Sequence, residues 1–239
     1  MLKKLFKYLL YIVLAFFVLS IASVVLYRWV KPPITPLMIS RKIEREAKIN
    51  YRWIDISKMP QSAINCAVAA EDNNFLSHSG IDFGAIEKAI DEQEKTGRVR
   101  GASTISQQTA KNVFLWQGRT WIRKGLEVYF TYLIEFFWSK ERIMEVYLNV
   151  IEMGEGVYGI EAAAQHYFNK SAAKLSPYQS ALIVAAFPSP LKRNPAKPSA
   201  YLSRRANTIL SLSQKIGTIK FDEKSIQKAK ERYEKRKKK

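Results

Sequence analysis

Residues 122–137 read Ile122-Arg123-Lys124-Gly125-Leu126-Glu127-Val128-Tyr129-Phe130-Thr131-Tyr132-Leu133-Ile134-Glu135-Phe136-Phe137. Leu126, Phe130, Leu133 and Phe137 recur at steps of three and four, which stacks them on one helical face; a strand would repeat every second residue. Just beyond, Ile143, Val146, Tyr147 and Val150 repeat that spacing in a second helix, from about Lys140 to Val150. Toward the N-terminus, Pro60 suits the first turn of a helix running through Ala63, Ile64, Ala67, Val68 and Ala70. Ser103 or Thr104 can cap a segment carrying Gln107, Gln108 and Lys111. Toward the C-terminus, Ser176-Pro177-Tyr178-Gln179 combines an N-cap, a first-turn proline and the glutamine of a capping box. A last helix over residues 200–216 stops at Gly217. No stretch alternates over strand length, so the sequence predicts an all-α domain.

Composition sets the outer bounds. The chain has 239 residues, 47% apolar and 25% charged, which gives one globular domain with attachments and excludes a disordered or collagen-like chain. The single cysteine, Cys66, excludes an intramolecular disulfide, and His78 and His166 lack any zinc-helix spacing. Lys and Arg number 39 against 21 Asp and Glu, a net charge of +18. Such an excess suits a polyanion: nucleic acid, anionic lipid or diphosphate.

The N-terminus chooses among these. After Lys3, Lys4 and Lys7, residues 8–27 form a run of 20 without a charge. As a helix they extend about 30 Å, the thickness of a bilayer's hydrocarbon core. Ser20-Ile21-Ala22 resembles a signal-peptide cleavage site, but the apolar run continues past it through Leu26, which favours a retained anchor. A buried core helix would keep a polar face. The leading lysines put the N-terminus in the cytoplasm and residues 31–239 outside it, which removes nucleic acid as a partner. The organisation expected is a basic start and anchor over 1–30 and a linker and lead-in over 31–52, opened by Lys31-Pro32-Pro33-Ile34-Thr35-Pro36. The main domain follows over 53–217, then a basic helix or tail over 218–239.

Three constellations could carry chemistry. In the first, Glu71 and Asp72 end an apolar, alanine-rich helix ahead of Phe75, His78 and Gly80. Burial and a helix C-terminus disfavour ionisation, which turns a carboxyl into a usable base or acid. A solvated helix end reads equally well. In the second, Gly101 precedes Ser103 and Thr104, whose helix start offers N–H groups to an anion. Gln107 and Lys111 share one face of that helix, as do Gln108 and Asn112. The bland alternative is an ordinary cap on a solvated face. The third holds Arg119, Arg123, Lys124 and Glu127. Arg123 and Glu127 are spaced for an exposed helix ion pair, or for a second carboxylate among cations that bind a diphosphate.

In this order the segments resemble the peptidoglycan glycosyltransferases, most closely the monofunctional biosynthetic transglycosylases. Glu71 to Gly80 follows the family's E-D-x-x-F-x-x-H-x-G, Gly101 to Asn112 its G-x-S-T-x-x-Q-Q-x-x-K-N, and Arg123 to Glu127 its R-K-x-x-E. Lys140, Ile143, Tyr147, Leu148 and Asn149 match a fourth element, and Gly159 to Ala164 with Ala185 to Pro190 a fifth. Penicillin-binding motifs occur only as chance matches at Ser171 to Lys174, Ser225 to Lys228 and Lys95 to Gly97.

The resemblance implies a lysozyme-like, all-α domain behind one transmembrane helix, in the bacterial inner membrane with the catalytic domain periplasmic. It implies polymerisation of lipid II into glycan strands, with inversion at the sugar C1 and release of undecaprenyl diphosphate. Glu71 would be the general base and Glu127 a second carboxylate that positions substrate or supports the diphosphate. Asp72, Phe75, His78, Gly80, Ser103, Thr104, Gln107, Gln108, Lys111, Asn112, Arg119, Arg123 and Lys124 would bind substrate. No cofactor is required, with room for a divalent Mg or Mn. Partners would be lipid II, the growing strand, the membrane and other cell-wall synthases. Two rivals differ in class: a lytic transglycosylase or hydrolase on a related fold, and a tethered, non-enzymatic wall scaffold.

Overall fold

The structure is a computed structural model and describes residues 2–97, 101–118 and 120–237. Its described residues are mostly helical. The N-terminal half holds α1 (Leu2–Tyr27), α2 (Pro36–Arg45), α3 (Gln61–Glu71), α4 (Phe83–Thr96), α5 (Ile105–Phe114) and α6 (Trp121–Phe137). The C-terminal half holds α7 (Lys140–Val150), α8 (Ile160–Phe168), α9 (Pro177–Ala186), α10 (Ala200–Ile216) and α11 (Glu223–Lys237). Hydroxyl caps start many of them, each satisfying an N–H that the first turn leaves open. Thr104, not Ser103, caps α5 and forms a full capping box with Gln107, and Ser176 does the same with Gln179 on α9. Pro60 stands one residue outside α3, at the N-cap.

Three short strands depart from the purely helical expectation: β1 (Asn50–Tyr51), β2 (Glu152–Gly154) and β3 (Val157–Tyr158). They form one sheet in the order β1-β3-β2, with β1 parallel and β2 antiparallel to β3. At two or three residues each, they are too short to show a period of two.

The core centres on α7, whose Ile143, Met144, Val146, Tyr147, Leu148 and Val150 are all sealed from solvent. Ala63 and Ala67 of α3 leave room for α9 and α10 to pack closely on it. On α6 the inward ridge is Arg123, Glu127, Phe130, Thr131 and Ile134. Of the four apolar residues that share a face in the sequence, only Phe130 is buried; Leu126, Leu133 and Phe137 are half-buried. Thus α6 turns charge inward and leaves Trp121, Ile122 and Phe136 outside, 92%, 76% and 81% exposed.

That outward face explains how the anchor sits. The Trp138 indole donates to Val24 O at 2.7 Å, Ser20 Oγ bonds Tyr129 Oη at 2.7 Å, and the rings of Phe16 and Phe17 lie within 6 Å of Tyr129. The Arg142 guanidinium then donates to Tyr27 O at 2.9 Å and Val30 O at 2.8 Å. The C-terminal half of α1 is docked on α6, while Leu9, Ile12, Val18 and Leu19 remain exposed. The lead-in is pinned as well: Tyr51 donates to Pro32 O at 2.8 Å, and Thr35 caps α2.

Candidate active site

Glu71 is the last residue of α3, delivered by an apolar helix to a half-buried position. Its Oε2 accepts from Gln108 Nε2 at 2.9 Å, and Gln108 Oε1 in turn accepts from the Tyr147 hydroxyl at 3.3 Å. An ionised carboxylate can only accept, so Glu71 fixes which end of Gln108 faces it and leaves the amide oxygen to the phenol. Glu71 Oε1 has no hydrogen bond among the described residues. Burial pushes the Glu71 carboxyl above the usual carboxylate range, against the opposing pull of the Gln108 bond and of the Arg205 and Lys111 charges.

The second carboxylate is held differently. Glu127 is buried on α6 and gives one oxygen to Arg123 Nη1 at 2.9 Å and the other to Lys124 Nζ. The i+4 spacing read in the sequence is therefore a buried pair and not a solvated one. Lys111 points from α5 into the same region, and its ammonium makes no ion pair or hydrogen bond among the described residues. Burial lowers its pKa, as do the Arg123 and Lys124 charges, while Glu127 and Glu71 act the other way. An ammonium so placed, with two cations beyond it, is prepared for an anionic ligand.

Several residues expected to bind substrate also hold the site together. Asp72 caps α3, and its carboxylate bonds His78 Nε2 at 3.0 Å and the Ile105 N–H at 3.0 Å. Through these bonds it joins the Glu71 loop to the start of α5. His78 Nδ1 accepts from Gly80 N–H at 3.1 Å, and His78 O accepts from Lys140 Nζ at 2.7 Å. Phe75 is fully buried, with the Lys140 ammonium 4.7 Å above its ring. Gly80 has φ +98°, and a Cβ there would stand 2.7 Å from Thr131 Cγ2, so only glycine fits against α6. Thr104 and Gln107 spend their side chains on the α5 cap, and Asn112 is buried on that helix. These bonds make Asp72, His78, Thr104 and Gln107 part of the framework, and Asp72 and Thr104 also line the cleft. Ser103 borders open space. Arg119 lies outside the described residues.

Sequence reasoning missed Arg205, which approaches Glu71 from α10 and has no motif around it to mark it. It also missed Glu135 and Ser106: Ser106 Oγ and Lys140 Nζ both donate to Glu135 Oε1. Lys140 could have been found, as the first residue of the fourth element. A divalent ion does not fit these residues. Both Glu127 oxygens are taken by cations, and among the described residues no three of His, Cys, Asp or Glu converge.

Glu71 and Asp72 border a cleft of about 950 Å³, walled by α4, α10 and α11. A family model described as Transglycosylase matches residues 39–214, most of the chain, from before Glu71 to beyond Arg205. The chain belongs to the transglycosylase family. It is 48% identical over 241 residues to a biosynthetic peptidoglycan transglycosylase of Bacteroides thetaiotaomicron, covering 99% of this chain and 97% of that protein. To the proteins of the same name from Caulobacter vibrioides and Bdellovibrio bacteriovorus it is 50% identical, covering 83% and 86% of this chain and 88% and 84% of theirs. The lysozyme-like helical domain expected of a transglycosylase is the one described above.

Proposed function

We propose that this protein is a peptidoglycan glycosyltransferase that polymerises lipid II, with Glu71 as the general base. One observation carries the reading: a half-buried carboxylate with one unbonded oxygen lies within electrostatic reach of an unpaired lysine backed by two more cations. The acceptor is the 4-hydroxyl of an incoming lipid II, and the donor is the growing strand on undecaprenyl diphosphate. Glu71 Oε1 takes the hydroxyl proton as that oxygen bonds the donor's C1 from the face opposite the diphosphate. The C1–O bond to diphosphate breaks, its electron pair leaves with the phosphate oxygen, and the sugar carbon inverts. Lys111, Arg123 and Lys124 meet the departing charge, and Glu127 keeps the last two aimed.

The elevated Glu71 pKa makes its carboxylate a stronger base toward the acceptor's proton. A hydrolase would need a protonated acid at the scissile oxygen and would have no use for three cations. The anchor supports a site at the bilayer, because both substrates carry lipid tails. Phe16 and Phe17, which meet Tyr129, precede the end of α1 by about ten residues, or roughly 15 Å at 1.5 Å per residue. With the N-terminus cytoplasmic, α6 and its bare Trp121, Ile122 and Phe136 would enter the outer leaflet, and the domain over 53–217 would face the periplasm.

The test is to incubate the pure full-length protein with labelled lipid II. Appearance of long glycan supports the polymerase; shortening of preformed glycan with no polymer from lipid II would install the hydrolase.

A further inference from the structure

The chain runs past the family match at residue 214 into α11, and the docking of that helix is visible at Asp82. Asp82 caps α4 by accepting from the Ala85 N–H at 3.0 Å, and Asn74 Nδ2 donates to its other oxygen at 2.8 Å. The Tyr233 hydroxyl of α11 donates to Asp82 Oδ1 at 2.7 Å. Gly84 admits the ring, since a Cβ there would lie 3.3 Å from the phenol oxygen. Burial, the hydrogen bond and the Asp82 charge push the phenol up to about 12, so it stays a donor at any physiological pH.

With α11 fixed there, the cleft beside Glu71 has walls of opposite sign. Glu87, Asp91 and Glu92 of α4 line it and outnumber Lys88 beside them, while Arg204 and Arg205 of α10 and Arg236 of α11 line the other side. Arg205 Nε is buried without a hydrogen-bond partner among the described residues. A buried, unsatisfied N–H is costly and rare, and an acceptor on a ligand would satisfy it. Arg204 and Arg236 likewise make no side-chain hydrogen bond or ion pair among the described residues.

The geometry points to this cleft as the seat of the acceptor's peptide stem, its carboxylates on Arg204, Arg205 and Arg236 and its diamino-acid amine toward Glu87 and Asp91. The assignment rests on the polymerase reading above. A hydroxyl delivered to Glu71 belongs to a disaccharide whose neighbouring sugar carries that peptide. A diphosphate would be repelled by the α4 carboxylates, and a neutral glycan would leave the arginines unmatched. A peptide with both signs matches both walls.

Two substrates test it: lipid II with its native stem, and lipid II whose stem carboxylates are amides. Arg204 and Arg236 are exposed, so the Arg204→Glu, Arg236→Glu double variant of the full chain is expected to fold. It should lower kcat/KM on the native substrate about tenfold or more, chiefly through KM, and leave the amidated substrate within about twofold. Tyr233→Phe, which removes only the hydroxyl on Asp82, should give a smaller loss with the same stem dependence. Equal losses on both substrates, or none on either, would overturn the assignment. If the wild type made no polymer, the polymerase reading would fail separately, and a soluble disaccharide-peptide would then decide by calorimetry. Binding weakened in the double variant would support the subsite; no binding to wild type would refute it.

Discussion

Glu71 and Glu127 are the same residue type, both within electrostatic reach of Lys111, and their surroundings give them opposite characters. Glu127 spends both oxygens on Arg123 and Lys124, so its charge is matched on site. Glu71 has one neutral amide on Oε2 and no hydrogen bond on Oε1 among the described residues, and burial keeps its ionisation costly. A carboxylate saturated by cations makes a poor base but a good holder of cations. An undercompensated one makes the better base. On the proposed reading, the end of α3 serves proton transfer and the middle of α6 charge placement.

The comparison breaks first on stability. Glu127→Ala should destabilise the fold by about 3 kcal/mol, because it strands a buried guanidinium, and denaturant unfolding would show it. Next in size is Lys111→Met, which should slow polymerisation about ten- to hundred-fold while stability holds or rises, since a desolvated ammonium is removed. Initial rate set against thermal midpoint separates the two effects. A uniform loss of both would make Lys111 merely structural.

Smaller changes sharpen the Glu71 side. Gln108→Leu removes the hydrogen bond that favours the carboxylate anion, so the Glu71 pKa rises further and the acid limb of kcat/KM against pH should move upward. An unmoved limb would mean that Glu71 does not set it. The smallest effect is on stability. Because the folded pKa is raised, the ionised carboxylate opposes folding above that value and has no such effect below the ordinary glutamate range. Glu71→Gln should accordingly raise the thermal midpoint at neutral pH by about one to two degrees, and the gain should vanish in acid.

Much of this was legible in the sequence, unevenly. Caps and spacing located α5, α7, α9 and α10 because local rules fix helix ends. The roll of α6 was not legible: periodicity says that Leu126 and Phe130 share a face, not that Arg123 and Glu127 point inward. Motif letters placed Asp72 and His78 near Glu71 but could not show that they bond to Ile105 and Lys140, which lie 33 and 62 residues away. Arg205 was silent because only tertiary packing brings α10 to the end of α3. The docking of α11 was silent too: its apolar stripe is only Ile226, Ala229 and Tyr233, and no motif marks the bond from that tyrosine hydroxyl to Asp82.

The most direct measurement is the initial rate of lipid II polymerisation by full-length Glu71→Gln, at matched lipid II affinity and intact fold. Glutamine keeps the shape and the contact with Gln108 but cannot take a proton. The rate should fall by about 10²–10⁴-fold, the contribution of a positioned general base. Turnover within a few-fold of wild type would contradict the assignment of Glu71 as the base.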